Sequence, residues 1–369
     1  MDRPVRVGIT HGDINGVSYE VIFKTVAREG ATDLYTPVVF AVPELARKAI
    51  EQFELLNVKL NLVDEAEQAQ DGKVNIVALK SKPELRPGEV TKEAGESAVE
   101  ALELAVNALK EGEIDVLVTA PISKEAVQSD KFNFPGHTEF LTQRLGEGEE
   151  AMMILCEDNL RVALLTVHVP VTKISENITK ENLEQAVEKF AHTLKQDFGI
   201  VRPTVAVLSL NPHAGDGGLL GHEEEEIIKP AIEELLQKGI LAFGPYPADG
   251  FFGHDAYKKF DGILAMYHDQ GLAPFKTIAK NGVNFSASLP YVRTSPDHGT
   301  AFDIAWQGKA DPESLREAIY MAIDIFRRRD TFMEASANPL KKQVHEKPEK
   351  FNRGERMPFK NDFNKEADD

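Results

Sequence analysis

The stretch Val205-Ala206-Val207-Leu208-Ser209-Leu210 runs directly into Asn211-Pro212-His213. A nearly continuous apolar run predicts a strand buried on both faces, which is typical of a parallel sheet covered by helices. The same composition recurs in six other runs, at residues 5–9, 38–42, 116–118, 152–155, 161–167 and 262–267. The sequence therefore predicts an α/β protein whose sheet is mostly parallel.

Helical periodicities lie between these runs. One helix is expected to end before Gly112, a second to run from Thr179 to Gly199, and a third to begin at Asp311 with Pro312 in its first turn. Asp is a favoured N-cap, Pro is favoured at the first helical position, and Gly commonly follows a helix end. Alternating strands and helices favour a doubly wound architecture.

Composition narrows the class of protein. The chain has 369 residues, a net charge of −18 and a single cysteine, Cys156, so an internal disulfide is impossible and a reducing compartment is expected. Its length suggests two domains, or one large domain with an appendage. The strong negative charge argues against a nucleic-acid partner. No signal peptide or apolar membrane-spanning run is found, so we expect a cytoplasmic protein without a membrane partner.

Three histidines lie at the ends of apolar runs: His168 and His268 directly after them, and His213 after the intervening Asn211-Pro212. Ligands of open α/β sheets bind beyond the carboxyl ends of strands, so three imidazoles at such ends could converge on one divalent cation. A single one would be better explained as a structural histidine, but three equivalent positions favour a shared metal. His11 follows the first run and either joins this site or lies in a loop at its rim.

Further residues have the chemistry of anion binding. His137 and Thr138 precede a helical segment, where free amides bind anions, although Thr138 could equally be part of a capping box. Lys276, Asn284 and Arg293 interrupt an otherwise apolar stretch. Lys provides a point charge and Arg a bidentate fork, which suits a phosphate or a carboxylate.

Other charged or glycine-rich segments are interpreted without a catalytic role. The acidic run 223–226 is expected to be the solvated start of a helix, where acids suit the helix dipole. The glycines of 215–221 miss the spacing of the dinucleotide fingerprint, so no cofactor-contacting residues are identified there. Residues 339–369 lose apolar periodicity and are predicted to form a mobile tail.

Five sequence blocks together resemble the 4-hydroxythreonine-4-phosphate dehydrogenase family, NAD-dependent enzymes of pyridoxal phosphate biosynthesis. The blocks are Thr-Ala-Pro-Ile-Ser-Lys at 119–124, Phe-Pro-Gly-His-Thr-Glu at 134–139, Leu-Asn-Pro-His-Ala-Gly at 210–215, Met-Tyr-His-Asp-Gln-Gly-Leu at 266–272 and Arg-Thr-Ser-Pro-Asp-His-Gly-Thr at 293–300. The resemblance extends from about Val5 to Phe326.

The resemblance implies a fold and an assembly. The family fold is similar to that of isocitrate and isopropylmalate dehydrogenases, with two α/β/α subdomains and an active site in the cleft between them. We place the first subdomain at 1–130 plus 300–338, and the second, which carries the metal and substrate residues, at 131–299. Family members are homodimers whose metal site is completed across the subunit interface.

It also implies site residues and a reaction. The metal-binding histidines match His168, His213 and His268, and the substrate-binding residues match His137, Thr138, Lys276, Asn284 and Arg293. The implied reaction is the NAD-dependent oxidation and decarboxylation of 4-phosphooxy-L-threonine to 3-amino-2-oxopropyl phosphate and CO2. Imidazole ligands suit Zn or Co, and Mg is a further option.

Three points stay open at this level. Asp249 is either the proton acceptor of the reaction or an aspartate that only forms a turn. The substrate could instead be phospho-threonate or phospho-erythronate, as in a paralogous dehydrogenase, and a metal-dependent phosphate-ester hydrolase is the rival from another class. The loop 12–20 lacks two prolines and a glycine of the family pattern, which leaves its conformation undetermined.

Overall fold

A twelve-stranded sheet runs through the residues that the computed structural model describes, 3–129 and 132–338. The predicted tail at 339–369 lies outside these ranges. The strands are β1 (Val5–Thr10), β2 (Tyr35–Ala41), β3 (Leu60–Val63), β4 (Val74–Ala78), β5 (Val116–Thr119), β6 (Met152–Glu157), β7 (Leu160–Leu164), β8 (Thr204–Leu208), β9 (Leu241–Tyr246), β10 (Gly262–Ala265), β11 (Val283–Ala287) and β12 (Arg293–Pro296). Their spatial order is β3-β4-β2-β1-β5-β12-β11-β6-β7-β10-β8-β9.

Helices connect and cover these strands. The α-helices are α1 (Ser18–Val26), α2 (Ala31–Leu34), α3 (Pro43–Gln52), α4 (Lys92–Lys110), α5 (His137–Leu145), α6 (Ile174–Asn177), α7 (Lys180–Gln196), α8 (Lys229–Gln237), α9 (Ala248–Gly253), α10 (His268–Ile278) and α11 (Glu313–Ser336). Short 3-10 turns occupy Ala66–Gln68, Val171–Lys173, Ala256–Lys259 and Phe302–Ile304, and a π-helical turn, Glu224–Ile228, precedes α8. No helix in the described ranges is both long enough and apolar enough to cross a membrane.

Most neighbouring strands are parallel, as the apolar runs predicted. The exceptions are the pairings β12–β11, β11–β6 and β6–β7, which are antiparallel. Strands β7, β10 and β8 are adjacent and mutually parallel, so their carboxyl ends lie at one edge of the sheet. The predicted α/β fold class is confirmed.

The predicted helix signals match the structure closely. Thr179 Oγ1 accepts a hydrogen bond from the Asn182 amide at 3.2 Å at the start of α7. At α11 the Asp311 carboxylate accepts from the Glu313 amide at 3.0 Å, but the helix begins at Glu313 with Pro312 at the N-cap position, one residue later than predicted. These side chains satisfy amides that have no partner within the helix.

The sheet continues without interruption through both predicted subdomains. Strand β12 pairs with β5 of the first and with β11 of the second. The subdomain boundaries therefore stay a prediction, because no break in the sheet marks them. Inside the sheet, Cys156 on β6 is fully buried, and desolvation raises the pKa of its thiol to about 12, as expected for an unreactive core residue.

Candidate active site

A cavity of about 310 Å³ lies over the centre of the sheet and is lined by all five residues predicted to bind substrate. Strands β5, β11 and β12, helix α5 and helix α10 contribute its walls. The relevant side chains are His137, Thr138, Lys276, Asn284 and Arg293, together with His168 and His268. Residues separated by more than 150 positions in the sequence are thus brought to one place by the order of the strands.

Arg293 is the strongest electrostatic feature of this cavity. Its side chain is 2% exposed and donates to Thr119 Oγ1 at 3.1 Å and to Ser286 Oγ at 2.9 Å. Desolvation lowers the pKa of the guanidinium to about 10, and the charge of Glu139 opposes that shift. Among the described residues no carboxylate lies within ion-pair distance of Arg293, so a buried cation faces the cavity without a counter-ion. An anionic ligand would compensate it.

The start of α5 presents a second anion-binding element. His137 and Thr138 are its first residues, and Gly136 before them provides no side-chain cap. The capping-box alternative for Thr138 therefore finds no support in the structure. Desolvation, reinforced by the positive charge of Arg293, holds the pKa of His137 well below its usual value, so its imidazole is neutral near pH 7.

Lys276 and Asn284 complete the polar lining. The Lys276 ammonium, on α10, donates to the Asp297 carbonyl at 3.1 Å. The Oδ1 atom of Asn284, on β11, is buried without a hydrogen-bond partner in the described part of the chain. Buried polar atoms are normally paired, so this orphaned oxygen points to a ligand that donates to it.

Two of the three predicted metal-binding histidines lie close together. The rings of His168 and His268 are 6.3 Å apart. Glu139 Oε1 lies 3.0 Å from Nδ1 of His168, and Asp269 Oδ1 lies 2.7 Å from Nδ1 of His268. A carboxylate on Nδ1 fixes the proton there and leaves Nε2 free as a metal ligand. These two imidazoles therefore have the chemistry of ligands for a divalent cation but make up only part of a site.

His213 lies in a different cavity from His168 and His268. It lines a neighbouring cavity of about 590 Å³ together with Asp249, Asn211 and Asp269. Within the described residues, no three His, Cys, Asp or Glu side chains form a group that could hold a metal ion. A single chain thus brings two of the three predicted ligands together and leaves the third apart.

Helix α10 separates the two cavities and contributes to both. His268 and Lys276 line the cavity of Arg293, whereas Asp269 and Gln270 line that of His213. Gln270 donates to the Ser209 carbonyl at 2.6 Å and accepts from the Met266 amide at 2.7 Å. These bonds tie the segment after β8 to the segment after β10, and so fix the relative positions of the two cavities.

His11 is not part of either cavity. It is fully buried beside Tyr19, and its Nε2 lies 3.2 Å from Ser97 Oγ. Desolvation lowers the pKa of the imidazole to about 4. The structure therefore does not place His11 with His168 and His268, because it is buried between Tyr19 of α1 and Ser97 of α4.

The divergent loop 12–20 is well anchored. Asn15 donates to the Glu89 carbonyl at 3.0 Å and accepts from the Arg86 amide at 2.7 Å. The Trp306 indole donates to the Ile14 carbonyl at 2.8 Å. The loop is thus fixed by side chains of this sequence in place of the missing prolines.

Comparison with known proteins identifies the family. The family model described as pyridoxal phosphate biosynthetic protein PdxA matches residues 33–322. The 4-hydroxythreonine-4-phosphate dehydrogenase of Bacteroides thetaiotaomicron is 51% identical, over 94% of this chain and 95% of that protein. This chain belongs to the PdxA family.

Other relatives of the family differ in their assigned substrate. The D-threonate 4-phosphate dehydrogenase of Pectobacterium atrosepticum is 36% identical, over 86% of this chain and 98% of that protein.

The crystal structure of 4-hydroxythreonine-4-phosphate dehydrogenase from Klebsiella pneumoniae is similar with a TM-score of 0.76 at 33% identity, covering 88% of this chain and 98% of that chain. The family predicted from the five sequence blocks is confirmed, and with it an oxidoreductase.

The predicted set omitted several residues that the structure places at the site. Glu139 and Asp269 contact the two neighbouring imidazoles. The sequence signal that could have identified these two residues is their position next to predicted site residues, His137 and His268. Glu224, assigned to a solvated run, is instead fully buried, which corrects that interpretation for this residue.

Proposed function

We propose that this protein oxidises and decarboxylates 4-phosphooxy-L-threonine with NAD, giving 3-amino-2-oxopropyl phosphate and CO2 for pyridoxal 5'-phosphate biosynthesis. The observation that carries the proposal is one cavity in which the unpaired, buried Arg293 faces two imidazoles whose Nδ1 atoms contact carboxylates. Such a cavity suits a substrate with an anionic group at each end and a reacting hydroxyl between them.

The cavity residues hold and orient the substrate. Arg293 and Lys276 provide the positive charges, and the amides at the start of α5 add donors beside His137 and Thr138. The neutral His137 donates or accepts without adding charge, and Asn284 Oδ1 accepts from a donor such as the substrate ammonium. Holding both ends fixes C3 in a reactive position.

A divalent cation, Zn, Co or Mg, would be held by His168, His213 and His268. When bound, the cation lowers the pKa of the C3 hydroxyl and stabilises the charge that develops on its oxygen, and NAD supplies the hydride acceptor. Through their contacts with the Nδ1 atoms, Glu139 and Asp269 would favour the tautomer of these two imidazoles in which Nε2 is free to bind the cation.

Asp249 is our proposed proton acceptor for the C3 hydroxyl. It lines the same cavity as His213 and not the cavity of Arg293, so in a site shared between two copies it would come from the second copy together with His213. The proton passes to its carboxylate while hydride leaves C3. The C1–C2 bond then breaks, CO2 departs, and the electron pair left behind takes up a proton at C2. The atoms and charges of the overall reaction balance with one NAD reduced.

A homodimer with a shared site is part of this proposal. The separation of His213 from His168 within one chain supports a site that a second copy completes. Exchange between two inactive dimers, His213→Ala and Lys276→Ala, would restore about a quarter of the wild-type rate, because half of the dimers are mixed and each has one intact site. Absence of any restored activity would contradict the shared site.

Substrate assays test the reaction. The purified protein, with NAD and Zn, Co or Mg added in turn, should raise the absorbance at 340 nm with 4-phosphooxy-L-threonine. Phospho-D-threonate and phospho-erythronate are the matched alternatives, since relatives act on the first of them by name. NADH formation with phospho-threonate alone would replace the proposed substrate. Phosphate release without NAD would support a hydrolase instead.

A further inference from the structure

The turn that carries His213 has an unusual backbone. Residues 213–217 all have positive φ, with values of 53° at His213, 52° at Ala214 and 43° at Asp216. Left-handed backbone is unfavourable for residues with a Cβ, and consecutive residues rarely adopt it. Such a turn persists only where the surrounding structure determines it, which directs attention to what holds it in place.

The carboxylate of Glu224 lies against the segment that leads into this turn and against Gly215 within it. Its Oε1 accepts from the amides of Leu210 at 2.8 Å and Asn211 at 2.7 Å, and its Oε2 accepts from Asn211 Nδ2 at 2.9 Å. Glu224 is fully buried, and no Lys, Arg or His of the described residues forms an ion pair with it. Its charge is therefore stabilised by donors of the segment that leads into His213.

Two glycines allow this close approach. A Cβ at Gly215 would lie 2.8 Å from Glu224 Oε2, and a Cβ at Gly221 would lie 2.2 Å from Asn211 Nδ2. Both have positive φ, at 79° and 142°. The turn thus fits closely around the carboxylate, with no room for larger residues at either position.

We propose that Glu224 is a positioning residue for metal binding, because it holds the left-handed turn in the conformation that presents His213. This inference rests on the proposed role of His213 as a metal ligand. Glu224 is not among the residues that line either cavity. Glu224 orders the turn before the metal binds. Its loss should therefore appear as weaker metal binding and an altered coordination geometry.

The acidic run itself offers a matched control. Glu225 is the next residue, is exposed, and contacts Lys229 one helical turn away. Glu225→Gln removes the same charge from the same run without touching the turn. Glu224→Ala leaves two amides without their acceptor, whereas Glu224→Gln keeps one oxygen but places an amino group against a donor of Asn211.

The experiment measures Co²⁺ binding by the full-length protein after removal of metal with a chelator. Titration calorimetry gives the Kd, and the visible absorption spectrum of Co²⁺ reports the coordination. Glu224→Ala should weaken binding by about 10–100-fold, the range for loss of an outer-shell partner, and alter the spectrum. Glu224→Gln should show an intermediate loss, and Glu225→Gln should match the wild type.

His213→Ala separates this inference from the function on which it rests. Unchanged Co²⁺ affinity in His213→Ala would overturn the role of His213 and hence the proposed site. A large loss there, with wild-type affinity and spectrum in a folded Glu224→Ala, would overturn only the positioning role. If Glu224→Ala does not fold, Glu224→Gln decides: weaker binding supports the inference, and wild-type binding overturns it.

Discussion

The Nδ1 atom of His168 lies 3.0 Å from Oε1 of Glu139. Glu139 belongs to the first turn of α5, the same helix that begins with His137 and Thr138. The carboxylate therefore links the helix start that we assign to anion binding with an imidazole that we assign to metal binding. Displacement of one element would be transmitted to the other through a single hydrogen bond.

Glu139→Gln should weaken metal binding by about 10–100-fold, because a neutral amide oxygen accepts the Nδ1 proton of His168 more weakly than a carboxylate does. Competition with a chromophoric Zn²⁺ chelator measures this change. Glu149→Gln is the control, since the Glu149 carboxylate pairs with the half-buried Lys189 and does not line the cavity of Arg293. Equal Zn²⁺ affinity in the two variants would remove Glu139 from the metal site.

Arg293→Lys should raise KM for the phosphorylated substrate by about 10-fold or more, because Lys keeps the charge but loses the fork that donates to Thr119 and Ser286. Arg293→Met should have a larger effect, on the order of 2–5 kcal/mol in kcat/KM. Steady-state kinetics separate KM from kcat. Arg86→Lys, at an exposed pair with Glu84, should leave both unchanged, and a similar result for Arg293→Lys would contradict its role.

His11 should make the protein less stable in acid. Its folded pKa of about 4 lies below the unfolded value near 6.5, so the unfolded chain binds a proton first as the pH falls. The stability contributed above pH 6.5 is therefore lost progressively between pH 6.5 and 4, by roughly 2 kcal/mol at pH 5. Urea denaturation of the wild type and His11→Gln at pH 7 and pH 5 tests this. The variant should lose less on acidification, and equal losses would refute the assignment.

The buried pair of Arg329 and Asp197 should stabilise the packing of α11 on α7. Arg329 Nε lies 2.7 Å from Asp197 Oδ1, and Nη2 lies 3.0 Å from Oδ2. Arg329→Met leaves a buried carboxylate unpaired and should cost about 3–5 kcal/mol in the free energy of unfolding. Arg328→Met removes an exposed neighbour that contacts Asp324 and should cost about 0–1 kcal/mol. A similar loss in both variants would show that burial of the pair does not matter.

The strands that the sequence predicted are those whose own residues are apolar. All seven apolar runs form strands, and the other five strands, β3, β4, β9, β11 and β12, were missed. β12 consists of Arg293-Thr294-Ser295-Pro296, a polar segment ending in proline, and only its neighbours β5 and β11 make it a central strand. Strand formation there depends on partners distant in sequence, which local periodicity does not contain.

The site residues that could be predicted are likewise those with a signal in the local sequence. Histidines directly after apolar strands were found, because the end of a parallel strand is visible in sequence. Glu224 was misassigned, because its immediate neighbours Glu223 and Glu225 suggest a solvated helix start. Its burial depends on the amides of Leu210 and Asn211, which approach it only when the turn is formed.

The position of β12 has a consequence for synthesis on the ribosome. The strand that joins β5 to β11 ends at residue 296 of 369. Until it emerges, the nascent chain presents an open edge at β5, and such edges invite pairing with other chains. The amino-terminal half can therefore begin to fold during translation but cannot complete its sheet until β12 has been made, so β5 stays unpaired on one side for most of synthesis.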